Sequence, residues 1–249
     1  MRLPIRLPIF CLSLAMALGQ QRPVLGQPAV ILQKGIKAHG GAANLNRLKA
    51  GHTKTEGKIE LGDGIPFSQE AIYQLPKQLK EVQELYINGQ KRTVIVVLDG
   101  ARGWISNNGQ TAPLTDELLR ELTEAAYLLR VTRLAPLADR SFELSDLGDA
   151  EVNGRPATGV RVSSRGHRDL SLYFDVESSL LVKVQRRTRD AATMKEVTEE
   201  RVYSDFREID GIQTPQKTIV YRDGKRFMVG TVRQVNFLEK VSEDTFSKP

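Results

Sequence analysis

The stretch 158–187 reads TGVRVSSRGHRDLSLYFDVESSLLVKVQRR and alternates apolar with polar residues in three successive segments. Its apolar positions are Val160 and Val162, then Leu170, Leu172, Phe174 and Val176, then Leu180, Val182 and Val184. A period of two residues predicts three half-buried β-strands. The links at 165–168 and 177–179 are too short for a crossover helix, so neighbouring strands should pair antiparallel as a meander. Such a sheet has one apolar face, which helices, the sheet itself or a ligand must cover.

The same alternation continues through most of the chain. Further strands are predicted at 53–61, 67–75, 78–87, 93–98, 102–106, 142–147, 196–206, 213–222 and 225–238. Six dipeptides that tolerate positive φ mark turns: Asn88-Gly89, Asp99-Gly100, Asn108-Gly109, Asn153-Gly154, Asp210-Gly211 and Asp223-Gly224. The sequence therefore predicts a mainly β protein, built on one large antiparallel sheet of about 11 or 12 strands.

Three helices are predicted beside the sheet. The first covers 28–39, because Pro28 suits a helix start and the two glycines at 40–41 suit a helix stop. A short second helix should cover 42–48. The third begins after Thr115, whose side chain can cap it, and ends before Pro136.

The third helix lies between two runs of strands and carries a broad apolar stripe. The stripe consists of Leu118, Leu119, Leu122, Ala125, Ala126 and Leu129. Three further apolar residues lie off it: Tyr127, Leu128 and Val131. Either the helix breaks near Ala126 or it is apolar on more than its core side. Because burying each leucine contributes roughly 1.5 to 3 kcal/mol, we expect this helix to cover the apolar side of the sheet and to act as a lid.

Composition places the chain among folded globular proteins. Of its 249 residues, 27% are charged and 40% are apolar, which argues against disorder and favours one large domain. The formal net charge is +6. Basic residues cluster along one hairpin: Lys183, Arg186, Arg187 and Arg189, with Arg201 and Arg207 alongside. The cluster would suit anionic lipid headgroups or an acidic partner, and equally a solvated strand face.

The first 26 residues have the composition of an export signal. Arg2 and Arg6 make the start positive, and 7–18 is an apolar run too short to span a bilayer permanently. We expect cleavage near residue 19 or 26, so that 1–26 is removed and 27–249 is a single domain, soluble in the periplasm. Cys11, the only cysteine, lies inside this segment without the context of a lipoprotein signal, so no disulfide or lipid anchor is expected.

Motifs for catalysis or cofactor binding are absent from the sequence. The three histidines, His39, His52 and His167, have no metal-binding spacing. The chain lacks a GxSxG elbow, a P-loop and a GxGxxG turn. Ser163, Ser164, His167 and Asp169 lie close in sequence, but a polar hairpin tip is more often simply a turn than a triad. We therefore expect a protein that is not an enzyme and needs no cofactor or metal.

The order of elements resembles the periplasmic lipoprotein-carrier family of LolA-like and LolB-like proteins. The resemblance covers nearly the whole of 27–249 and is strongest at LSLYFDVESSLLVK, 170–183, and at VSEDTFSKP, 241–249. The chain has Ser178-Ser179 in a turn where the family usually has a glycine. The resemblance implies an unclosed antiparallel β-barrel, lidded by helices, whose apolar interior accepts acyl chains.

Two functions of different classes follow from this reasoning. In the first, the chain is a carrier or binder of lipid or lipoprotein acyl chains, a monomer that makes transient contacts with envelope membranes or membrane proteins and none with nucleic acid. In the second, the cavity is filled by side chains, and the chain is a sensor or assembly module that binds through its outer surface. The residues expected to line a lipid site are Trp104, Leu118, Leu119, Leu122, Leu129, Leu172, Phe174, Phe227, Val229 and Arg233.

Arg233 is an unusual member of that set. Strict alternation through the last strand places it on the apolar face with Phe227, Val229, Val235 and Phe237. A guanidinium there would need water, an acid or oxygen atoms of a ligand. The alternative is a bulge near the glycine at 230, which would turn Arg233 outward.

Overall fold

The computed structural model describes residues 27–47, 49–190 and 193–249. The predicted export signal, 1–26, and Cys11 lie outside the described residues. The helices are α1 (Gln27–Ala38), α2 (Gly41–Arg47) and α3 (Asp116–Thr132), with short 3-10 turns at Ala135–Ala138 and Glu243–Phe246. The strands are β1 (Ala50–Ile59), β2 (Ile65–Gln74), β3 (Gln78–Ile87), β4 (Gln90–Asp99), β5 (Arg102–Asn107), β6 (Gln110–Pro113), β7 (Phe142–Val152), β8 (Arg155–Ser164), β9 (Leu170–Asp175), β10 (Leu181–Arg189), β11 (Glu196–Ile209), β12 (Ile212–Arg222) and β13 (Lys225–Leu238).

All of these strands belong to one unclosed antiparallel sheet. Its order is β6-β5-β4-β3-β2-β1-β13-β12-β11-β10-β9-β8-β7. Each half is a meander of consecutive strands, and the halves meet where β1 pairs with β13. Helix α3 contacts both β4 and β10, which have six strands between them in the sheet, so the sheet curls around the helix. We call the face that meets α3 the inner face.

The predicted mainly β antiparallel fold is confirmed, with 13 strands in the described part of the chain. The strand missing from the prediction is β6, whose sequence QTAP is short and has no apolar alternation. It forms because its backbone pairs with β5, and such pairing leaves no signal in the side chains.

The meander β8-β9-β10 follows the prediction except in one strand. Val160, Val162, Leu170, Leu172 and Phe174 are all buried in one cluster on the inner face. The register of β10 shifts between Leu181 and Lys183. Leu181 joins that cluster instead of the expected Leu180 and Val182, and Val184 lies in it as predicted. Val176 follows the end of β9 and is 59% exposed.

Helix α3 is continuous to Thr132, so it does not break near Ala126. Thr115 caps it, accepting a hydrogen bond from the backbone N–H of Leu118. One side of the helix, with Leu122 and Ala126, packs on the β1–β6 half of the sheet. Another side packs on the β7–β13 half: Tyr127, Leu128 and Val131. The helix is apolar on two sides because it lies between the two halves.

Helix α1 covers the inner face beside α3. Leu32 is buried in the same cluster as Phe174 and Leu172. Gly35 lies directly over the ring of Phe174, where a Cβ atom would come within 2.6 Å of a ring carbon. Only glycine allows the helix this close to the sheet.

Candidate functional site

A cavity of about 240 Å³ lies inside the curled sheet, between α3 and the seam of the two halves. Its walls come from strands β1, β2 and β10–β13, from α2 and from the end of α3. The apolar part of the lining consists of Leu45, Leu129, Leu181, Phe206, Ile212, Pro215, Val232, Val235 and Phe237. The polar residues are His39, Thr53, Tyr73, Thr132, Arg133, Arg201, Tyr203, Gln213, Thr214 and Thr218. Although the polar residues are as numerous, most of the lining surface is apolar, which is the character of a small-molecule site.

Arg133, at the C-cap of α3, brings a positive charge to this cavity. Its guanidinium donates a hydrogen bond to the hydroxyl of Tyr73. It also lies 5.0 Å from the centre of the Tyr73 ring and 5.1 Å from that of Phe237, in cation–π contact. Within the described residues it has no carboxylate partner. Burial lowers the pKa of Arg133 to about 10, so it stays charged at neutral pH.

His39 lies at the other side of the cavity, just after α1. Its Nδ1 is 2.9 Å from the carbonyl oxygen of Gly35, and its Nε2 is 3.4 Å from the backbone nitrogen of Leu181. Because the backbone N–H can only donate, Nε2 must accept and Nδ1 must carry the proton. Burial lowers the pKa of His39. The neutral ring therefore ties the end of α1 to β10.

A cluster of charges occupies the inner face beside the cavity and reaches its lining through Arg201. Glu199 on β11 lies opposite Arg186 of β10 and Arg222 of β12. Its carboxylate is 2.9 Å from Arg186, 2.9 Å from Arg201 and 3.7 Å from Arg222. Burial alone would raise the pKa of Glu199, but the arginines outweigh it, and the pKa falls to about 2. On the facing half of the sheet, burial raises the pKa of Glu81 despite nearby Arg201 and Arg186.

Three glutamates of α3 fasten the helix to the β7–β13 half. Glu121 accepts two hydrogen bonds from Arg168, at 2.8 and 2.5 Å, and one from the hydroxyl of Thr188 at 3.0 Å. Glu124 is 3.0 Å from Nδ1 of His167, and Glu117 is 2.8 Å from Arg189. We call Glu117, Glu121 and Glu124 the glutamate row. Helix α3 is thus attached to the β1–β6 half by apolar contacts and to the other half by both apolar contacts and charges.

Comparison with known proteins gives a clear answer for the fold. No protein-family model and no curated protein sequence matches the chain. A LolA superfamily protein from Nitrosomonas europaea matches the structure with a TM-score of 0.58 at 9% identity, over 90% of this chain and 99% of that one. A putative outer membrane lipoprotein-sorting protein domain from Vibrio parahaemolyticus matches with a TM-score of 0.53 at 9% identity, over 87% and 94% of the two chains. This is the LolA-like fold.

A third solved structure agrees with this assignment. A DUF1329 family protein from Desulfovibrio piger matches with a TM-score of 0.53 at 12% identity, over 88% of this chain and 97% of that chain. The predicted resemblance to the lipoprotein carriers is therefore confirmed at the level of fold.

The structure separates the residues that were expected to line one lipid site within this LolA-like fold. Of the ten, Leu129 lines the cavity. Leu119, Leu122 and Leu129 pack together against the β1–β6 half. Leu172 and Phe174 are buried in the cluster on the other half, and Leu118 is partly exposed near the start of α3. Side chains of the protein itself therefore fill much of the expected site.

Trp104, which was expected to line the lipid site, lies on the side of the sheet away from α3. Its neighbour Gly103 faces the helix, since a Cβ atom there would meet Leu114 and Leu119. Successive residues of a strand point to opposite faces, so Trp104 lies on the outer face. There its ring is 5.6 Å from the guanidinium of Arg102.

Arg233 lies on the outer face, and its predicted inward orientation is wrong. Its guanidinium is 2.9 Å from Glu56, and both side chains are more than half exposed, 60% and 57%. The cause is a bulge in β13: the pairing with β1 shifts between Lys54 and Thr55, so Arg233 has no partner in the ladder and Val232 and Val235 both line the cavity. The bulge lies at Arg233 itself, three residues after the glycine where it was expected.

The same bulge reverses the direction of residues earlier in β13. Val229 pairs with the exposed Lys58 and so lies on the outer face, not in the cavity. Phe227 lies outside the cavity lining for another reason: the pairing of β13 with β12 shifts between Val220 and Tyr221, so Phe227 has no partner in that ladder. Its ring centre is 3.7 Å from the guanidinium of Arg222.

The basic hairpin predicted from the sequence carries little free charge. Lys183, Arg186, Arg187 and Arg189 each have a glutamate within 3.8 Å. The described residues contain no group of three His, Cys, Asp or Glu side chains placed to hold a metal ion. No helix among them is long and apolar enough to cross a bilayer.

Proposed function

We propose that the protein is a non-catalytic binder and carrier of lipid or lipoprotein acyl chains outside the cytoplasm. The observation that carries this proposal is the cavity between α3 and the seam, with its apolar lining from α2, α3 and β10–β13. Each methylene of an acyl chain moved from water into such a cavity gains about 0.8 kcal/mol. The Vibrio parahaemolyticus domain with this fold is named for outer membrane lipoprotein sorting, which is compatible with such a use of the fold.

The cavity volume of about 240 Å³ suits part of one chain better than several chains. A larger acyl group would enter if α3 moved away from the β1–β6 half of the sheet. That contact consists of apolar side chains such as Leu122 and Ala126, which an acyl chain can replace. The glutamate row would meanwhile keep the helix attached to the other half.

A second candidate function is a sensor or assembly module with a filled cavity. One observation favours it: side chains close the inner face of the β7–β10 meander, with Val131, Leu134 and Leu172 fully buried there. In that case the seam cavity would be a packing defect, and the outer surface would bind the partner.

Export belongs to the same proposal. Removal of 1–26 would leave 27–249 as one soluble periplasmic domain and a monomer. The mass of the protein recovered from the envelope of the expressing cell tests this proposal. A soluble species that lacks 1–26 is expected, and a full-length chain retained in the membrane would contradict the proposal.

Two substitutions in one strand test the acyl-chain site. Val232 lines the cavity, whereas Val229 lies three residues away on the outer face. Val232→Phe should fill the cavity and weaken binding of a fluorescent fatty acid about tenfold or more, while Val229→Phe should leave it unchanged. Circular dichroism confirms that each variant is folded.

The proposal fails if folded Val232→Phe binds the fatty acid as well as the wild type does. It fails also if the wild type binds none and yields no acyl species in native mass spectrometry after purification from its own envelope.

A further inference from the structure

A second pocket adjoins the acyl cavity and opens at its mouth. Its volume is about 610 Å³. It shares Leu45 and Arg133 with the cavity, so the two spaces meet at these side chains. The rest of its lining consists of Asn46, Lys49, Leu75, Pro76, Arg130, Ala135, Pro136, Ala138 and Asp139. We call it the mouth pocket.

The mouth pocket has an excess of positive charge. Lys49, Arg130 and Arg133 line it with a single carboxylate, Asp139. None of the three cations forms an ion pair with any residue in the described ranges. Exposed arginines elsewhere on the sheet differ in this respect: Arg226 pairs with Glu60 at 2.8 Å, whereas Arg92 has no ion pair among the described residues. The distinctive feature of the mouth pocket is that three such cations line one space with a single carboxylate.

Aromatic contacts hold the two arginines in place without neutralising them. The guanidinium of Arg130 lies 4.9 Å from the ring centre of Phe142, and Arg133 rests on Tyr73 and Phe237 as described above. Asp139 accepts a 2.8 Å hydrogen bond from the backbone N–H of Ser141. Hydrogen bonds from Ser141 lower the pKa of Asp139, and the charge of Arg130 adds a smaller effect in the same direction. Asp139 is therefore bonded mainly within its own turn and forms no ion pair with Arg130. Aromatic contacts leave guanidinium N–H groups available to an acceptor.

We propose that the mouth pocket binds the phosphate of an amphiphile whose acyl chain lies in the adjoining cavity. The inference rests on the proposed acyl-chain function and adds the class of headgroup. Arg130 and Arg133 approach from the end of α3, and Lys49 approaches from the residue before β1. Phosphate oxygens accept hydrogen bonds from several directions and prefer arginine and lysine donors. An uncharged headgroup would exclude water from three cations without providing a negative charge. Such desolvation of unpaired charges is unfavourable.

Arg133 would be the link between the two parts of the ligand. It lines both spaces, so it can contact the headgroup while its neighbours Leu129 and Phe237 contact the chain. A bound phosphate would join α3 to the start of β1 and hold the mouth closed over the chain.

A pair of ligands that differ only in the phosphate tests the proposal. Calorimetric titration compares decanoyl-glycerol phosphate with monodecanoylglycerol. The phosphate ligand should bind at least tenfold more tightly, and this advantage should shrink as salt is raised. In the double variant Lys49→Gln/Arg130→Gln the advantage should fall below about threefold, while the affinity for monodecanoylglycerol stays the same.

A matched variant controls for net charge. Lys225 and Arg92 are exposed, and neither is ion-paired within the part of the chain that the structure describes. Lys225→Gln/Arg92→Gln removes the same charge far from the mouth and should keep the full advantage. Lys49 is exposed, and its side chain forms no hydrogen bond or ion pair with the described residues. Lys49→Gln alone should therefore stay folded and lose part of the advantage even if the double variant fails to fold.

The outcomes separate the two proposals. Equal affinity of the wild type for both ligands overturns the headgroup site and leaves the acyl cavity standing. Failure of both ligands to bind overturns the acyl-chain function itself. If glycerol phosphate alone binds as tightly as the decanoyl ligand, the source is a free phosphate, and the coupling to an acyl chain is wrong.

Discussion

Replacing Glu199 with glutamine tests whether the inner charge cluster stabilises the fold. The carboxylate is 4% exposed and lies within 3.7 Å of Arg186, Arg201 and Arg222. The amide of Glu199→Gln has nearly the same shape, so the change removes the charge with little change in packing. It leaves three arginines close together, with their nearest common counter-charge gone.

The size of the effect follows from the protonation equilibrium. An ordinary glutamate has a pKa of 4.5, and in the folded protein the pKa of Glu199 is about 2. At about 1.36 kcal/mol per pKa unit, the ionised form is favoured in the folded state by roughly 3 kcal/mol. Because the folded pKa is the lower one, this stability is complete above about pH 5 and disappears as the pH falls towards 2.

Urea unfolding, followed by circular dichroism, measures this difference. At pH 7, Glu199→Gln should lower the free energy of unfolding by about 3 kcal/mol. The gap between variant and wild type should close as the pH falls from 5 towards 2. Glu200→Gln is the control: Glu200 lies next in the strand, is 30% exposed and is 3.8 Å from Lys183, so its loss should cost under about 1 kcal/mol. A Glu199 variant within about 0.5 kcal/mol of wild type, with an unchanged pH profile, would refute the reasoning.

Two smaller predictions concern His39 and Arg233. Because burial lowers the pKa of His39 below 6.5, its unfolded form binds the proton more readily, so stability should decrease as the pH falls through about 6.5. His39→Gln should flatten the dependence of unfolding free energy on pH between about 7 and 5, and an unchanged slope would show that His39 does not cause it. Arg233→Ala should change stability by less than about 1 kcal/mol, because its pair with Glu56 is exposed. It should also leave fatty-acid affinity unaltered, and a clear loss of affinity would mean that Arg233 does reach the cavity.

The periodic parts of the fold could be predicted from the sequence. Alternation located strands such as β8 and β9, and the dipeptides with positive φ located their turns, because both signals are local. The cap at Thr115 and the extent of α3 were predictable for the same reason. The short polar strand β6 was not, since only its backbone takes part in the sheet.

The site was harder to predict, because it depends on register. A single bulge at Arg233 reversed the direction of Val229 and brought Val232 into the cavity. Alternation in one strand cannot reveal where a neighbouring strand skips a residue. Arg133 was missed because it follows the apolar stripe of α3, and its aromatic partners come from strands far away in the sequence.

The glutamate row did leave a signal in the sequence. Glu117, Glu121 and Glu124 are spaced four and three residues apart, which places them on one side of a helix. That spacing could have predicted that one side of α3 is held to the sheet by ion pairs and hydrogen bonds. The partners, Arg168, Thr188 and Arg189, could be found only from the fold.

The seam between β1 and β13 also governs how the molecule must assemble. Each meander can form from contacts between neighbours in the sequence, but Ala50 pairs with Leu238, almost the whole described chain away. Such a pairing is slow, because a long loop must close before any contact is gained. Residues of the seam, Thr53, Val232 and Val235, line the cavity. We therefore expect the cavity to be completed late in folding, when the two meanders join, and two unpaired strand edges to be exposed to other chains until then.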